Sequence, residues 1–434
     1  MQKLSSVRHA APPGVRSATV PTEEAPSLDN FTQDPTPAHS PKSLWGAALL
    51  GLVAVTSVAG CTASNQPSIQ IALPEAPEGT ATGHFLELDG HKLFANEGGA
   101  VNSQGQFVVG TIQGIVVGNL NQAGSQHLLR VEGKDLRSDG GSAINEKGQF
   151  IVGTNRGIVV GDLTTGQARF LKLDGRTAFA DEGFDVNDSG HFLAGALQGL
   201  VTGQVAQGEA HLVTLDGKTL KVDDGLDLND RGQFVAGTTR GLVEGHIDGG
   251  TRLVQLDGRK VWADDEVQLN NQGQFIAGTG PGLIRGEVGG QTSLVKLDGK
   301  TVRADEGMDL NENGQFVAGT LSGVVRGDAS RDEVTLVKLD GHKLYANNGV
   351  DEDGYDDMPG DGHIQNISAV LREDGTFLIG TSSGVVTGNV NDGSAFVLKA
   401  GNRVLRPDEV LALNDSGQFL IGTPHGVLAG DLTP

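Results

Sequence analysis

Apolar and polar residues alternate along most of the chain after residue 84, in short segments such as "QFVAGT", "GVVRG" and "LVKL". A period of two is typical of β-strands with one or both faces buried. Segments such as "NENGQ" and "NDRGQ" separate the strands and predict Asn/Asp-x-Gly turns. The step "LDGK" suits a type I′ turn and predicts a small hairpin. After residue 61 no stretch has the pattern of an amphipathic helix, so the folded part is predicted to be all-β.

The strands belong to a repeat of about 42 residues with four predicted strands in each unit. The phenylalanine of the Gly-x-Phe step marks the repeat at Phe107, Phe150, Phe192, Phe234, Phe275, Phe316, Phe377 and Phe419. The period is that of a propeller blade or a solenoid turn. The array begins with an outer strand, "HFLEL", and ends with a third strand. The first strand can therefore supply the outer strand that the last unit lacks. We therefore expect an eight-bladed β-propeller over residues 84–434, closed by pairing of the N-terminal strand with the last blade. The alternative is a β-solenoid.

The segments "LREDGTFLIGTSSGVVTG" and "LNDSGQFLIGTPHGVLAGDL" resemble the regulator-propeller repeat. The segment "DLNENGQFVAGT" also resembles the HAF repeat of extracellular bacterial proteins. These resemblances cover residues 84–434 and imply a propeller fold in an extracytoplasmic bacterial protein. The motifs are turn and strand motifs, so they say little about function. Phe stands here where the regulator repeat usually has Trp, and no kinase or output domain accompanies the repeats.

The single cysteine, Cys61, follows an uncharged apolar run over residues 44–60. The run is short for a spanning helix and fits the core of a signal peptide. The sequence Val58-Ala59-Gly60-Cys61 resembles the bacterial lipobox. The resemblance implies that Cys61 carries lipid, with palmitate among the acyl chains. It also implies that the protein is anchored in the bacterial cell envelope and faces the periplasm or the exterior. The alternative is a free thiol behind an uncleaved anchor. Residues 1–43 are predicted to be a disordered extension and 61–83 a flexible linker.

The formal net charge of −22 disfavours contact with nucleic acid and attracts cations or a basic protein. Acidic residues recur at one phase, before and within each predicted inner strand, and form a candidate acidic ring. One interpretation is a ring that attracts cations or a basic partner. The other is that these carboxylates bind turn amides and neighbouring blades. The ring comprises Asp181, Asp185, Asp223, Asp227, Asp264, Asp305 and Asp309.

The seventh unit contains an acidic insertion at about residues 347–366, "NNGVDEDGYDDMPGDGHIQN". Calcium prefers several carboxylate oxygens on a loop that a glycine allows to turn sharply. The insertion is therefore a candidate Ca²⁺ site, although its sequence does not match an EF-hand. Calcium is the one cofactor that the sequence suggests. The alternative is a solvated acidic loop. The candidate ligands are Asp351, Asp353, Asp356, Asp357 and Asp361.

The histidines of the repeats occupy unrelated phases, which disfavours a shared metal or general-base site at the propeller axis. The sequence also lacks common nucleophile, zinc-protease and phosphate-loop motifs. We therefore expect a monomeric, lipid-anchored, non-catalytic binding scaffold with a protein or cationic partner. The alternative function is that of a propeller-type lyase or hydrolase acting on an extracellular substrate.

Overall fold

The computed structural model describes residues 69–72, 80–346, 369–400 and 403–432, which belong to one compact unit, Ser64–Pro434. The described residues form strands, turns and bends and contain no helix, and thus none able to cross a membrane. The insertion at 347–366 and Cys61 lie outside these residues. The all-β expectation is confirmed for the described residues.

Seven blades are each built from four consecutive antiparallel strands of one stretch of chain. The inner strands are Ala95–Val101, Ser138–Ile144, Ala180–Val186, Val222–Leu228, Ala263–Leu269, Ala304–Leu310 and Val370–Leu371. The second strands are Gln106–Thr111, Gln149–Thr154, His191–Ala196, Gln233–Thr238, Gln274–Thr279, Gln315–Thr320 and Thr376–Thr381. The third strands are Gly114–Asn119, Val159–Asp162, Gly199–Gln204, Val243–His246, Ile284–Glu287, Val325–Asp328 and Gly384–Asn389. The outer strands are His127–Leu128, Gln167–Phe170, Glu209–Leu212, Thr251–Leu253, Thr292–Leu294, Glu333–Leu336 and Ala395–Val397.

A composite sheet from both ends of the described chain completes the ring. Its strands, in spatial order, are Ile69–Ala72, Thr80–Phe85, Leu428–Asp431, Gln418–Ile421 and Leu411–Leu413. His84 lies opposite Ala429 in the antiparallel pair that joins the two ends. The sheet therefore includes Ile69–Ala72, from a segment for which the sequence predicts a flexible linker.

The expectation of eight four-stranded blades is wrong. The arrangement has seven blades, each of one continuous segment, and the closing sheet is a five-stranded composite. The last repeat, which contains Phe419, supplies only three strands, and its sheet is completed by Thr80–Phe85 and Ile69–Ala72 from the other end. Counting one blade for each Gly-x-Phe step therefore gives one blade too many.

A linker hairpin follows each outer strand and leads to the next inner strand. The paired strands are Glu87–Leu88 with His91–Lys92, Arg130–Val131 with Lys134–Asp135, Lys172–Leu173 with Arg176–Thr177, Thr214–Leu215 with Lys218–Thr219, Gln255–Leu256 with Arg259–Lys260, Lys296–Leu297 with Lys300–Thr301, Lys338–Leu339 with His342–Lys343, and Lys399–Ala400 with Arg403–Val404. At the tip of the first hairpin Asp89 and Gly90 have φ values of 51° and 78°. Positive φ at both central residues is the geometry of a type I′ turn, which confirms the hairpin predicted from "LDGK".

The core lies between neighbouring sheets. The Phe of each Gly-x-Phe step is buried, with at most 1 % of its surface exposed. In the seven blades, every residue of the second strand except the first is buried. The Phe234 ring lies so close to Gly245 of the third strand that a Cβ there would stand 2.7 Å from it. Burial of one such ring contributes about 1.5–3 kcal/mol. The high glycine content therefore reflects close packing inside strands as well as turns.

Asparagine side chains also join neighbouring sheets around the ring, in addition to the strand pairing that joins the two ends. Asn229 begins the turn between inner and second strand, and its Oδ1 accepts from the amides of Arg231 and Gln233. Its Nδ2 donates to the carbonyl of Asn270 in the next blade at 2.9 Å. Equivalent bonds lead from Asn102, Asn145, Asn187, Asn270 and Asn311 to the following sheet. Asn414 of the closing sheet donates to the carbonyl of Asn102 at 2.6 Å. A circular series of this kind does not support the solenoid alternative.

Candidate interaction face

The two ends of the propeller differ in what they expose. The linker face, as we call it, holds the linker hairpins, the residues that enter each inner strand, and the turns between second and third strands. These elements meet directly, since the amide of Ile112 donates to the carbonyl of Phe94 at 3.1 Å and that of Leu197 to Phe179 at 3.0 Å. The turn face holds the turns between inner and second and between third and outer strands. The two faces can therefore be compared residue by residue.

Among residues 83–346, 369–400 and 403–432, the large exposed apolar side chains all lie on the linker face. Their exposed fractions run from 36 % for Phe94 to 62 % for Ile112. The set consists of Phe94, Ile112, Phe179, Leu197, Trp262, Leu321, Tyr345 and Val404. Scattered exposed apolar residues are normal on a soluble domain, but their restriction to one face is characteristic of an interaction surface.

One position of the repeat alternates between aromatic and basic residues around the whole ring. It is the residue that immediately precedes the inner strand, or its equivalent in the two incomplete inner strands. In ring order this position is occupied by Phe94, Arg137, Phe179, Lys221, Trp262, Arg303, Tyr345 and Arg406, all of them exposed. We call this set the junction ring. The Lys260 ammonium lies 3.9 Å from the centre of the Trp262 ring, a cation–π contact.

The linker hairpins add more basic residues to the same face. The first residue after each turn is a lysine, an arginine or a histidine, and each one is exposed. These residues are His91, Lys134, Arg176, Lys218, Arg259, Lys300, His342 and Arg403. Most lysines and arginines of the described residues lie on the linkers, although the chain as a whole carries a charge of −22. The linkers also carry exposed acidic residues, among them Asp89, Asp174 and Asp216 at hairpin tips, but lysines and arginines outnumber them there. The hairpins and the junction ring together are therefore net basic.

Carboxylates line the axis inside the junction ring. The inner strand bulges between Ala180 and Phe184, and the same irregularity recurs in the neighbouring blades. The bulge requires glycine opposite it, because a Cβ on Gly195 would stand 1.8 Å from the carbonyl oxygen of Glu182. Of the candidate ring residues at this level, Asp181 and Asp305 are half-buried and Asp223 and Asp264 are exposed.

Burial and crowding at the axis raise the pKa of two other carboxyls at this level, those of Asp224 and Glu409. Burial, together with repulsion from Asp223, Glu182, Asp264 and Asp265, raises the pKa of Asp224 to about 7. On the other side of the ring, burial and repulsion from Asp408 and Glu97 raise the pKa of Glu409 to about 7. Asp224 and Glu409 therefore lose their protons only near neutral pH.

The other three candidate ring residues join adjacent inner strands. Asp227 accepts from the amide of Leu228 at 2.7 Å and from Leu269 of the next blade at 2.6 Å. Asp185 does the same with Val186 and Leu228. Asp309 accepts from Leu310 and Leu371. In these three contacts, carboxylates of the candidate acidic ring bind neighbouring blades, which is one of the two roles considered for them from the sequence. Attraction of cations by the exposed members stays a prediction.

On the turn face, acidic residues serve the same joining role. Asp188 Oδ1 accepts from the amide of Glu146 at 3.0 Å, and Asp230 Oδ1 from the amide of Asp188 at 2.8 Å. The acidic residue that follows the turn asparagine is therefore a contact between blades. This role was not predicted from the sequence, although the recurring Asn-Asp/Glu pair is a signal for it.

The remaining candidate residues are the predicted lipidation site and the predicted calcium ligands. Cys61 and the five insertion aspartates lie outside the described residues, so lipidation and calcium binding stay predictions. Within the described ranges, no three His, Cys, Asp or Glu side chains are grouped so that they could hold a metal ion. The junction ring was also missed from sequence. Aligning the repeats at the residue before each inner strand would have revealed its alternation.

Comparisons with known proteins identify no family. No family model and no curated protein matches the chain. Among solved structures, the C-terminal WD40 domain of Sif2 is 10 % identical with a TM-score of 0.49, and covers 79 % of this chain and 97 % of that domain. The WD40 repeats of RRP9 are 12 % identical with a TM-score of 0.46, and cover 84 % of this chain and all of that chain. The extracellular domain of a protein described as a one-component system from B. thetaiotaomicron is 12 % identical with a TM-score of 0.33, and covers 82 % of this chain and 56 % of that chain. All three likenesses concern the fold alone.

Proposed function

We propose that the protein is a non-catalytic binding scaffold that holds a macromolecular partner on its linker face. The observation that carries the proposal is the restriction of exposed large apolar side chains to that face. Trp, Tyr and Arg, all found in the junction ring, are the residues that most often dominate binding energy at protein interfaces. The asparagines and aspartates of the turn face and the axis are, in contrast, used to hold the blades together.

Tethering of the scaffold to a bacterial membrane through Cys61 is part of the proposal. It is supported by the resemblance of Val58-Ala59-Gly60-Cys61 to the lipobox and by the apolar run before it. Calcium binding by the acidic insertion is proposed as a stabilising accessory. A lyase or hydrolase activity is the second candidate, and no contact among the described residues favours it.

The proposal can be tested by substituting the four aromatic residues of the junction ring, Phe94, Phe179, Trp262 and Tyr345, with alanine together. We expect the wild-type protein, extracted from native cell envelopes in mild detergent, to migrate as a larger assembly than the same protein purified alone in that detergent. The aromatic variant should migrate as the free chain with an unchanged melting temperature. A matched variant with alanine at Lys147, Thr165 and Arg231, exposed residues of the turn face, should behave as the wild type. Equal migration of the wild type and the aromatic variant would contradict the proposed function.

A further inference from the structure

The charged and apolar side chains of the linker face indicate the chemistry of the partner that it binds. The inference about this partner rests on the proposed function. Arg137, Lys221 and Arg303 each lie between two aromatic members of the junction ring. Their side chains are exposed, and the hairpins outside them carry more lysines and arginines than acidic residues. An interface surface of this composition complements negative charge, and the charge also accelerates association with an acidic partner.

The carboxylates at the axis limit where an acidic partner can lie. Asp224, Asp223 and Asp264 are grouped at the level of the inner-strand bulges, inside the junction ring. They repel a polyanion from the centre of the face. Acidic groups of a partner are therefore best accommodated along the ring itself, between axis and hairpins, where cations and aromatic side chains alternate.

The aliphatic residues of the face favour a protein over an acidic glycan. Aromatic rings alone would suit stacking on sugars, but Ile112, Leu197 and Leu321 are 62 %, 56 % and 60 % exposed on the turns beside the junction ring. Branched aliphatic side chains have no π face for stacking. They bury apolar side chains of a partner well, which contributes about 25 cal/mol per Å² of apolar surface removed from water.

We propose that the linker face binds a protein partner through an acidic segment that also carries apolar side chains. The partner's carboxylates would pair with Arg137, Lys221 and Arg303. Its apolar side chains would pack between Phe179, Trp262 and the neighbouring aliphatic residues. Binding of this kind weakens with salt and requires both the cations and the aromatic rings.

The test uses the full chain and three labelled probes: a random copolymer of glutamate and tyrosine, polyglutamate, and polygalacturonate as an acidic glycan. Fluorescence anisotropy gives the affinity of each. We expect the copolymer to bind best, and the Arg137→Glu, Lys221→Glu, Arg303→Glu variant to bind it about tenfold more weakly or worse. Lys147→Glu with Arg231→Glu, charge reversals on the turn face, is the matched control and should change the affinity less than about twofold. The Phe179→Ala, Trp262→Ala variant should lose the preference for the copolymer over polyglutamate.

Other results would overturn the inference. Failure of the wild type to bind the copolymer would do so, as would equal weakening by the linker-face and turn-face reversals. Tighter binding of polygalacturonate than of the copolymer would assign the face to a glycan instead. These outcomes differ from failure of the proposed function. If charge reversal has no effect while the aromatic variant still loses its envelope assembly, the scaffold function stands and only the acidic partner is rejected.

Discussion

The carboxyl groups of Asp185 and Asp227, from adjacent inner strands, accept hydrogen bonds from the same donor, the amide of Leu228, at 2.7 Å each. Two carboxylates that share one N–H lie too close for both to ionise easily. Burial raises the pKa of both, and the proximity of Asp185 raises that of Asp227 further. The pair therefore titrates as a unit and retains one proton above the usual range of an aspartate.

The first prediction is that stability falls as the pH rises. A folded-state pKa above the unfolded value means that the folded protein binds more protons, so the contribution is fully present below about pH 4 and is lost as the pH rises through the folded pKa. For Asp309 and Asp224 that value is about 7. We expect the free energy of unfolding, measured with urea, to decrease from pH 4 to above pH 7. The slope should be at most about 1.4 kcal/mol per pH unit for Asp309 and smaller for Asp224, whose carboxyl is partly screened by solvent.

Asp227→Asn should flatten this dependence, because it removes the titrating partner of Asp185. Asp216→Asn, the same change at an exposed hairpin tip, should leave the slope unchanged. A wild-type stability that rises over this interval, or equal slopes for the wild type and Asp227→Asn, would be incompatible with the paired carboxyls.

The second prediction concerns the ring of asparagines. Asn229→Asp keeps the oxygen that accepts from Arg231 and Gln233 but replaces the Nδ2 donor that reaches Gln233 Oε1 and the Asn270 carbonyl. Because Asn229 is only 4 % exposed, the variant places a buried carboxylate against these two oxygens, where the donor was, and we expect a loss of about 1–3 kcal/mol in unfolding free energy. Asn155→Asp, at an exposed turn, serves as control and should cost less than about 0.5 kcal/mol. Similar losses in both variants would show that the inter-blade bond contributes nothing specific.

The sequence predicted the strands, the linker hairpins and the closed ring, because each depends on local period-two patterns and turn residues that repeat. The blade count was wrong because it depends on how incomplete repeats at the two ends combine, which is a property of long-range pairing. The roles of Asp227 and Asn229 were harder to predict. Their partners lie in the next blade, and an exposed carboxylate and an inter-blade one, such as Asp223 and Asp227, are only four residues apart.

The third prediction is that Cys61 carries the membrane anchor. Cys61→Ser should leave an unprocessed precursor that incorporates no labelled palmitate, because acylation requires the thiol. The measurement is radiolabelling followed by fractionation of membranes. Normal labelling of this variant would exclude lipidation at Cys61.

The fourth prediction is that calcium stabilises the protein through the acidic insertion. Ligand binding to the folded state alone stabilises it by about 2.7 kcal/mol at 100 times the dissociation constant, so millimolar calcium should raise the melting temperature and a chelator should reverse the shift. Asp353→Ala with Asp357→Ala should abolish the response with little effect on calcium-free stability. If this variant still responds, the site lies elsewhere; if the wild type does not respond, the insertion is a solvated acidic loop.

The central claim is that the linker face is where the partner binds, and site-specific photo-crosslinking in native cells tests it most directly. A photoreactive amino acid at Trp262 or Phe179 should give a discrete crosslinked adduct larger than the chain. The same amino acid at Thr165 or Lys147, equally exposed on the turn face, should give none. Adducts from the turn-face positions alone, or no difference between the two faces, would contradict the account.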